Sequence, residues 1–203
     1  MELMMIGFRG KKEAGKDTAM NALRGKCRNG EVVLRFADPL KQAVAVMYQW
    51  PEHLLQGDTL ESRQFREKKD SFWGITPREA LCHVGTDLVR KYDNDFWVKN
   101  LERRLLQIMG NPLKQGCLIL IPDVRFPNEM EMIKRYHGQI WYIERPELEE
   151  KEKNKEQHLS ELFAFSDDQW NDLVFVNDTT ITDLQNKIID AYVNLLKKRD
   201  SSE

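Results

Sequence analysis

Between Gly10 and Thr18 the chain reads Gly-Lys-Lys-Glu-Ala-Gly-Lys-Asp-Thr, with a lysine, an acid and a hydroxyl directly after the second glycine. Gly10 and Gly15 let the backbone curl, so that successive N–H groups can face one anion-sized hollow around Ala14 and Gly15. Lys16 adds a mobile positive charge suited to β- and γ-phosphates, and the helix N-terminus beyond adds its dipole. The apolar run Leu3-Met4-Met5-Ile6 precedes the loop and a helix-compatible stretch follows it. Strand, glycine loop and helix in that order are the context of a phosphate-binding P-loop. One slot departs from the common G-x-x-x-x-G-K-[ST] pattern: Asp17 stands where a hydroxyl normally meets Mg²⁺, and Thr18 follows it. The plain alternative is a glycine- and lysine-rich turn capped by Asp17, but strand and spacing favour a nucleoside triphosphate as ligand.

A second acid lies at the end of Leu118-Ile119-Leu120-Ile121-Pro122-Asp123. A carboxylate ending an apolar strand can hold Mg²⁺ beside the loop, directly or through water. Many strands end in Asp merely as a turn cap, so the signal gains its meaning from the P-loop and from Arg125, whose guanidinium can fork onto phosphate oxygens.

These groups need a frame that brings strand ends together. Leu3–Gly7, Val32–Phe36, Leu118–Ile121, Gln139–Ile143 and Leu173–Val176 read as five strands. Asp17–Leu23, Pro39–Tyr48, Pro127–Tyr136 and Ile181–Leu196 read as helices, and Thr76-Pro77 as a helix start. Strands buried on both faces and joined by helices predict a parallel α/β sheet, with ligands beyond the carboxyl ends of the strands.

The 203 residues suit one α/β domain or one domain with an insertion, and 41% apolar residues suffice for a core. A net charge of −2 excludes a globally basic nucleic-acid binder, so attraction for phosphate must be local. Cys27, Cys82 and Cys117 form neither a disulfide framework nor a zinc pattern, which makes a reducing cytoplasm the expectation. No apolar run reaches the length of a membrane span. The most biased stretch, Glu147 to Gln157, is nearly all Glu, Lys and Asn.

Four segments in order resemble the bacteriophage deoxynucleoside monophosphate kinases, within the nucleoside monophosphate kinase group of P-loop proteins. They are Gly10–Thr18 with its G-K-D-T ending, Gly85-Thr86-Asp87 followed by Phe96-Trp97-Val98-Lys99, Pro122–Glu129, and His158–Glu161 with Asn177-Asp178 beyond. The resemblance implies a three-layer P-loop fold with a five-stranded parallel sheet. Its core would be residues 1–37, 113–145 and 169–203, its monophosphate-binding insertion about 38–112 and its lid about 146–168. It also implies ATP and Mg²⁺ as cofactors, deoxynucleoside monophosphates as substrates, and a homodimer in the cytoplasm of an infected host, with no nucleic acid or membrane partner.

By the same resemblance Lys16 bridges the β- and γ-phosphates, Thr18 donates to the triphosphate, and Asp17 and Asp123 hold the Mg²⁺ shell. Arg125 clamps the acceptor or the transferring group, and Arg145 sits at the lid hinge. Arg66, Arg78, Gly85, Thr86, Asp87, Trp97 and Glu129 fall on the acceptor side. Two of these have ordinary alternatives: Trp97 as a core residue, Glu129 as a first-turn acid complementing a helix dipole. Asn177-Asp178 matches the loop beneath the adenine or is only a turn. Rival readings are another small-molecule P-loop kinase, similar to dephospho-coenzyme A kinase, and a non-catalytic nucleotide-binding module.

Overall fold

The computed structural model describes residues 4–146 and 168–201. Five strands, β1 (Met4–Arg9), β2 (Glu31–Val33), β3 (Leu118–Ile121), β4 (Gln139–Glu144) and β5 (Leu173–Val176), form one sheet in the order β2-β3-β1-β4-β5. Every pairing is parallel. β1 lies in the middle, so the loop leaving it is flanked by the ends of β3 and β4, the place where strand order reverses and ligands collect in such sheets.

One face of the sheet presents Ile6, Phe8, Leu118, Leu120, Trp141, Ile143 and Phe175. It packs on α1 (Lys16–Ala22) through Ala19 and Met20, and on the last helix, α7 (Ile181–Asp200), through Leu184, Ile188 and Tyr192. Phe8 meets Trp141 edge to face at 5.8 Å, one of the favoured geometries of aromatic pairs. Over the other face runs α6 (Pro127–Arg135), so close that a side chain at Gly7 would lie 2.6 Å from Ile133 Cδ1. The helix spanning residues 181–200 starts where its sequence says it should: Thr180 Oγ1 accepts from Asp183 N, and the Asp183 carboxylate accepts in return from Thr180 N–H and O–H.

Three strands differ from expectation, β4 only in running one residue on to Glu144. β1, expected to end at Gly7, runs on to Arg9 because Phe8 and Arg9 pair with Trp141 and Tyr142. β2 is shorter, stopping at Val33, after which Leu34 N donates once to Leu120 O and the chain turns into α2 (Asp38–Tyr48). Pro39 in the first turn of that helix cannot donate to a ladder, so the strand cannot continue through it.

The chain divides into two compact units, one of Met1–Leu34 and Leu105–Glu203, the other of Arg35–Arg104. These limits lie inside the 38–112 expected for the insertion at its far end and slightly outside at its near end. The second unit has its own core of Val44, Ala45, Trp50, Leu55, Ala80, Leu81 and Val84. Within it, α3 (Leu60–Glu67) and α4 (Pro77–Cys82) are capped by Thr59 and Thr76, the latter with Pro77 as first helical residue as its sequence indicates. α4 continues as a wider π-type turn, His83–Arg90, before α5 (Phe96–Met109). The segment between Gln49 and Trp73, opaque in sequence, is organised by aromatic rings: Tyr48 stacks on Trp50 at 4.6 Å and meets Trp73 edge-on. Asp70 ties them, accepting from the Trp50 indole and from the N–H groups of Phe72 and Trp73. Those donors, Trp73 N–H first, hold its carboxyl below the usual range. The expected lid and His158–Glu161 lie outside the described residues, save for the lid's end positions.

Candidate active site

Gly10 opens the loop after β1 in a backbone conformation that L side chains rarely adopt (φ 141°), with Ile143 O only 2.3 Å from where a Cβ would stand. Neither the torsion nor the space admits another residue. The loop folds on itself through Ala14 N donating to Lys11 O at 3.2 Å. Gly15, at φ 106°, caps α1 without any side-chain hydrogen bond, so the first N–H groups of that helix have no side-chain cap.

Lys16 turns its ammonium back into the loop. Nζ donates to Gly10 O at 2.7 Å and to Lys11 O at 2.6 Å. Withdrawal from water, with the positive charge of Arg125 second, pushes its pKa down to about 8, while Asp17 and Asp123 oppose the shift. The same balance shows that Lys16, Asp17, Asp123 and Arg125 share one electrostatic neighbourhood at the end of the sheet. Asp123 lies one residue beyond β3, after Pro122, and Val124 N–H donates to Phe8 O, which fastens the Asp123–Arg125 turn to β1. Arg145, just after β4, directs Nη1 to Glu13 O at 3.5 Å, so the third strand end also reaches the loop.

Of the two readings of Glu129, the contacts it makes match the first-turn acid. It is 2% exposed, and Oε2 accepts from Arg125 N at 2.7 Å and Phe126 N at 3.1 Å. Its first-turn role in α6 therefore has a visible purpose: it shapes the backbone that carries Arg125.

The remaining expected residues belong to the unit of Arg35–Arg104. Trp97 is 5% exposed and its indole N–H donates to Gly85 O at 3.0 Å. Gly85 in turn faces Leu40, whose Cδ2 lies 2.6 Å from a would-be Cβ. Both are packing positions here, so the ring offers no open face on which a base could stack. Thr86 is half-buried and Asp87 exposed, paired with His83 Nδ1 at 3.2 Å. Arg78 is engaged with Glu67 at 2.8 Å, and Arg66 lies along the Gly57 backbone.

Two residues at the loop were not assigned to it by sequence: Arg9 was given no site role, and Asn177 was matched to the loop beneath the adenine or to a turn. Arg9, immediately before Gly10, is 1% exposed; Nη1 donates to Asn171 Oδ1 at 3.0 Å and its guanidinium lies 5.4 Å from the Tyr142 ring centroid. Asn177, immediately after β5, donates from Nδ2 to Ala14 O at 2.8 Å. Position alone could have flagged both, since each borders a strand end at the carboxyl edge of the sheet.

Among the described residues no group of three or more His, Cys, Asp or Glu gathers to hold a metal by itself. Asp17 and Asp123 near Lys16 are instead the sparse donor set that Mg²⁺ takes alongside phosphate oxygens and water, and the residues present fit that ion. No described helix is long and apolar enough to cross a membrane.

A five-stranded parallel sheet with a glycine loop, lysine and strand-end acid at its carboxyl edge defines a P-loop kinase fold. A solved dephospho-CoA kinase from Campylobacter jejuni shares that fold at a TM-score of 0.55 and 12% identity, over 98% of this chain and 100% of the other. Residues 66–188 match the family described as deoxynucleotide monophosphate kinase. A protein of Acanthamoeba polyphaga mimivirus named "Putative deoxynucleotide monophosphate kinase" is 33% identical over 95% of this chain and 97% of its own length. The chain belongs to the deoxynucleotide monophosphate kinase family.

Two outcomes follow from this geometry. Lys16 binds its proton less tightly in the fold, where its pKa is about 8, than in the unfolded chain at 10.5, so its charging opposes folding and stability rises with pH between those values. A polyphosphate reverses the balance: at about pH 9 its binding should take up a proton, read by calorimetry in two buffers of different ionisation enthalpy. Equal heats in both buffers would remove Lys16 from the anion site. Trp97→Ala should lower the melting temperature through loss of about 3–5 kcal/mol of packing; an unchanged melting temperature with weakened substrate binding would return Trp97 to a contact role.

Proposed function

We propose that this protein transfers the γ-phosphoryl group of ATP to a deoxynucleoside monophosphate, giving a deoxynucleoside diphosphate and ADP. The observation that carries the reading is the Lys16 ammonium turned into the glycine loop at Gly10 O and Lys11 O, with Asp17, Asp123 and Arg125 acting on its charge, in a chain of this family.

The loop N–H groups and Thr18 receive the triphosphate, and Lys16 leaves the carbonyls of Gly10 and Lys11 to bridge its β- and γ-oxygens. The acceptor needs no general base. A 5′-phosphate has its second pKa near ~6, so at neutral pH it is mostly a dianion and already nucleophilic. Repulsion between two polyanions is the larger obstacle. Lys16 and Arg125 counter it by fixed positive charge, and Arg125 can fork onto two oxygens at once because Glu129 holds its backbone in place. Arg145 serves the nucleotide side. Mg²⁺, held by Asp17 and Asp123, would supply further charge neutralisation on the phosphates.

The unit of Arg35–Arg104 corresponds to the insertion that recognises the monophosphate. Thr86 and Asp87 are its candidate polar groups, supported from behind by Gly85 and Trp97, while Arg78 and Arg66 can exchange their present partners for phosphate. A homodimer and a host cytoplasm belong to the same reading.

A coupled ADP-release assay over all deoxy- and ribonucleoside monophosphates, with dephospho-CoA added, tests the substrate class. Turnover confined to dephospho-CoA would overturn it. Lys16→Met should keep the fold by circular dichroism and lower kcat by at least the roughly 10²–10³-fold of one oxyanion contact; near-normal turnover would end the kinase reading. Asp17→Asn should raise the Mg²⁺ concentration for half-maximal rate, and an unchanged titration would reduce Asp17 to a helix cap.

A further inference from the structure

We propose that Asn177 is a positioning residue of the phosphate loop: its side-chain amide fixes the Ala14–Gly15 peptide so that the Gly15 N–H faces the bound triphosphate. The inference deepens the kinase reading and rests on it.

Asn177 stands at the first position after β5, held there by its own N–H donating to Glu144 O at 2.7 Å. Nδ2 donates to Ala14 O at 2.8 Å. The partner is a carbonyl, so only the NH₂ end of the side chain can face it. In a planar trans peptide the C=O and the following N–H point in opposite directions. Pinning Ala14 O on Asn177 therefore turns the Gly15 N–H away from Asn177, and that N–H makes no hydrogen bond among the described residues.

The contact is possible because residue 15 has no side chain. A Cβ there would lie 2.7 Å from Asn177 Nδ2 and 3.1 Å from Leu184 Cδ2. Gly15 also makes the peptide easy to flip, since its backbone torsions are barely restricted. A flipped peptide would present the Ala14 carbonyl oxygen, not an N–H, to a phosphate. Asn177 is placed to prevent that inversion, directly before the residue that carries the ammonium.

Asn177→Asp tests this with almost no change of shape, since a carboxylate in place of the amide would repel Ala14 O. Binding of ATP, inorganic triphosphate and a deoxynucleoside monophosphate to the full chain is measured by calorimetry, with melting temperature alongside. ATP and inorganic triphosphate should weaken together by about tenfold or more in Asn177→Asp and by a smaller factor in Asn177→Ala. Monophosphate binding and melting temperature should stay close to the parent chain. Loss of ATP binding with inorganic triphosphate unaffected would make Asn177 a base contact. Parallel loss of all three ligands with a lowered melting temperature would make it a structural residue, and no loss at all would remove its role. Each of these overturns the proposal. Failure of the parent chain to bind ATP or triphosphate is the separate result that overturns the kinase reading and this inference with it.

Discussion

A positive charge drawn out of water must find acceptors, and Lys16 finds them in the carbonyls of the loop it belongs to. That arrangement sets terms for everything around it. The ammonium is held where burial and Arg125 both disfavour its charge, so the loop is arranged for an anion before one arrives. Phosphate oxygens that replace Gly10 O and Lys11 O would relieve the lysine and use the same pocket of donors.

Holding a loop in that state requires rigid surroundings, and the sheet supplies them from several directions. Gly10 lies against the Ile143 carbonyl of β4, the Asp123–Arg125 turn is tied to Phe8 of β1, Arg145 reaches Glu13, and Asn177 reaches Ala14 from the end of β5. The ties come from the ends of β3, β4 and β5, so loop geometry is a property of most of the sheet. Arg9 belongs to the same system. A guanidinium 1% exposed directly before Gly10 is tolerable only with partners such as Asn171 and the face of Tyr142, which makes the loop's first residue sensitive to both.

Much of this was legible in sequence because the signals were local. The P-loop, the strand before Asp123, the Thr76-Pro77 helix start and the last helix are all written in short stretches with one dominant physical cause. What escaped had its cause elsewhere in the chain. β1 was expected to end at Gly7, yet Asn171 and Tyr142, far along the sequence, keep Arg9 inside the sheet. Trp97 was open between facing a base and lying in the core, because whether an indole is exposed depends on the packing of Gly85 and Leu40, which spacing does not reveal. Glu129 was legible as an acid in a first turn and illegible as the residue that shapes Arg125's backbone. The aromatic knot of Tyr48, Trp50 and Trp73 resembles no short motif because it is held by ring packing and by Asp70, not by periodicity.

The middle position of β1 also governs the order in which the protein can assemble. Met4 pairs with Leu118 and Ile6 with Gln139, so β1 must wait for residues far along the chain before it gains a neighbour. The unit of Arg35–Arg104 has no such delay, since its core is drawn from a contiguous stretch. Folding during synthesis therefore begins in the middle of the sequence and closes around the N-terminus last. The geometry of the loop after β1, which needs that strand seated between β3 and β4, is acquired only at that step.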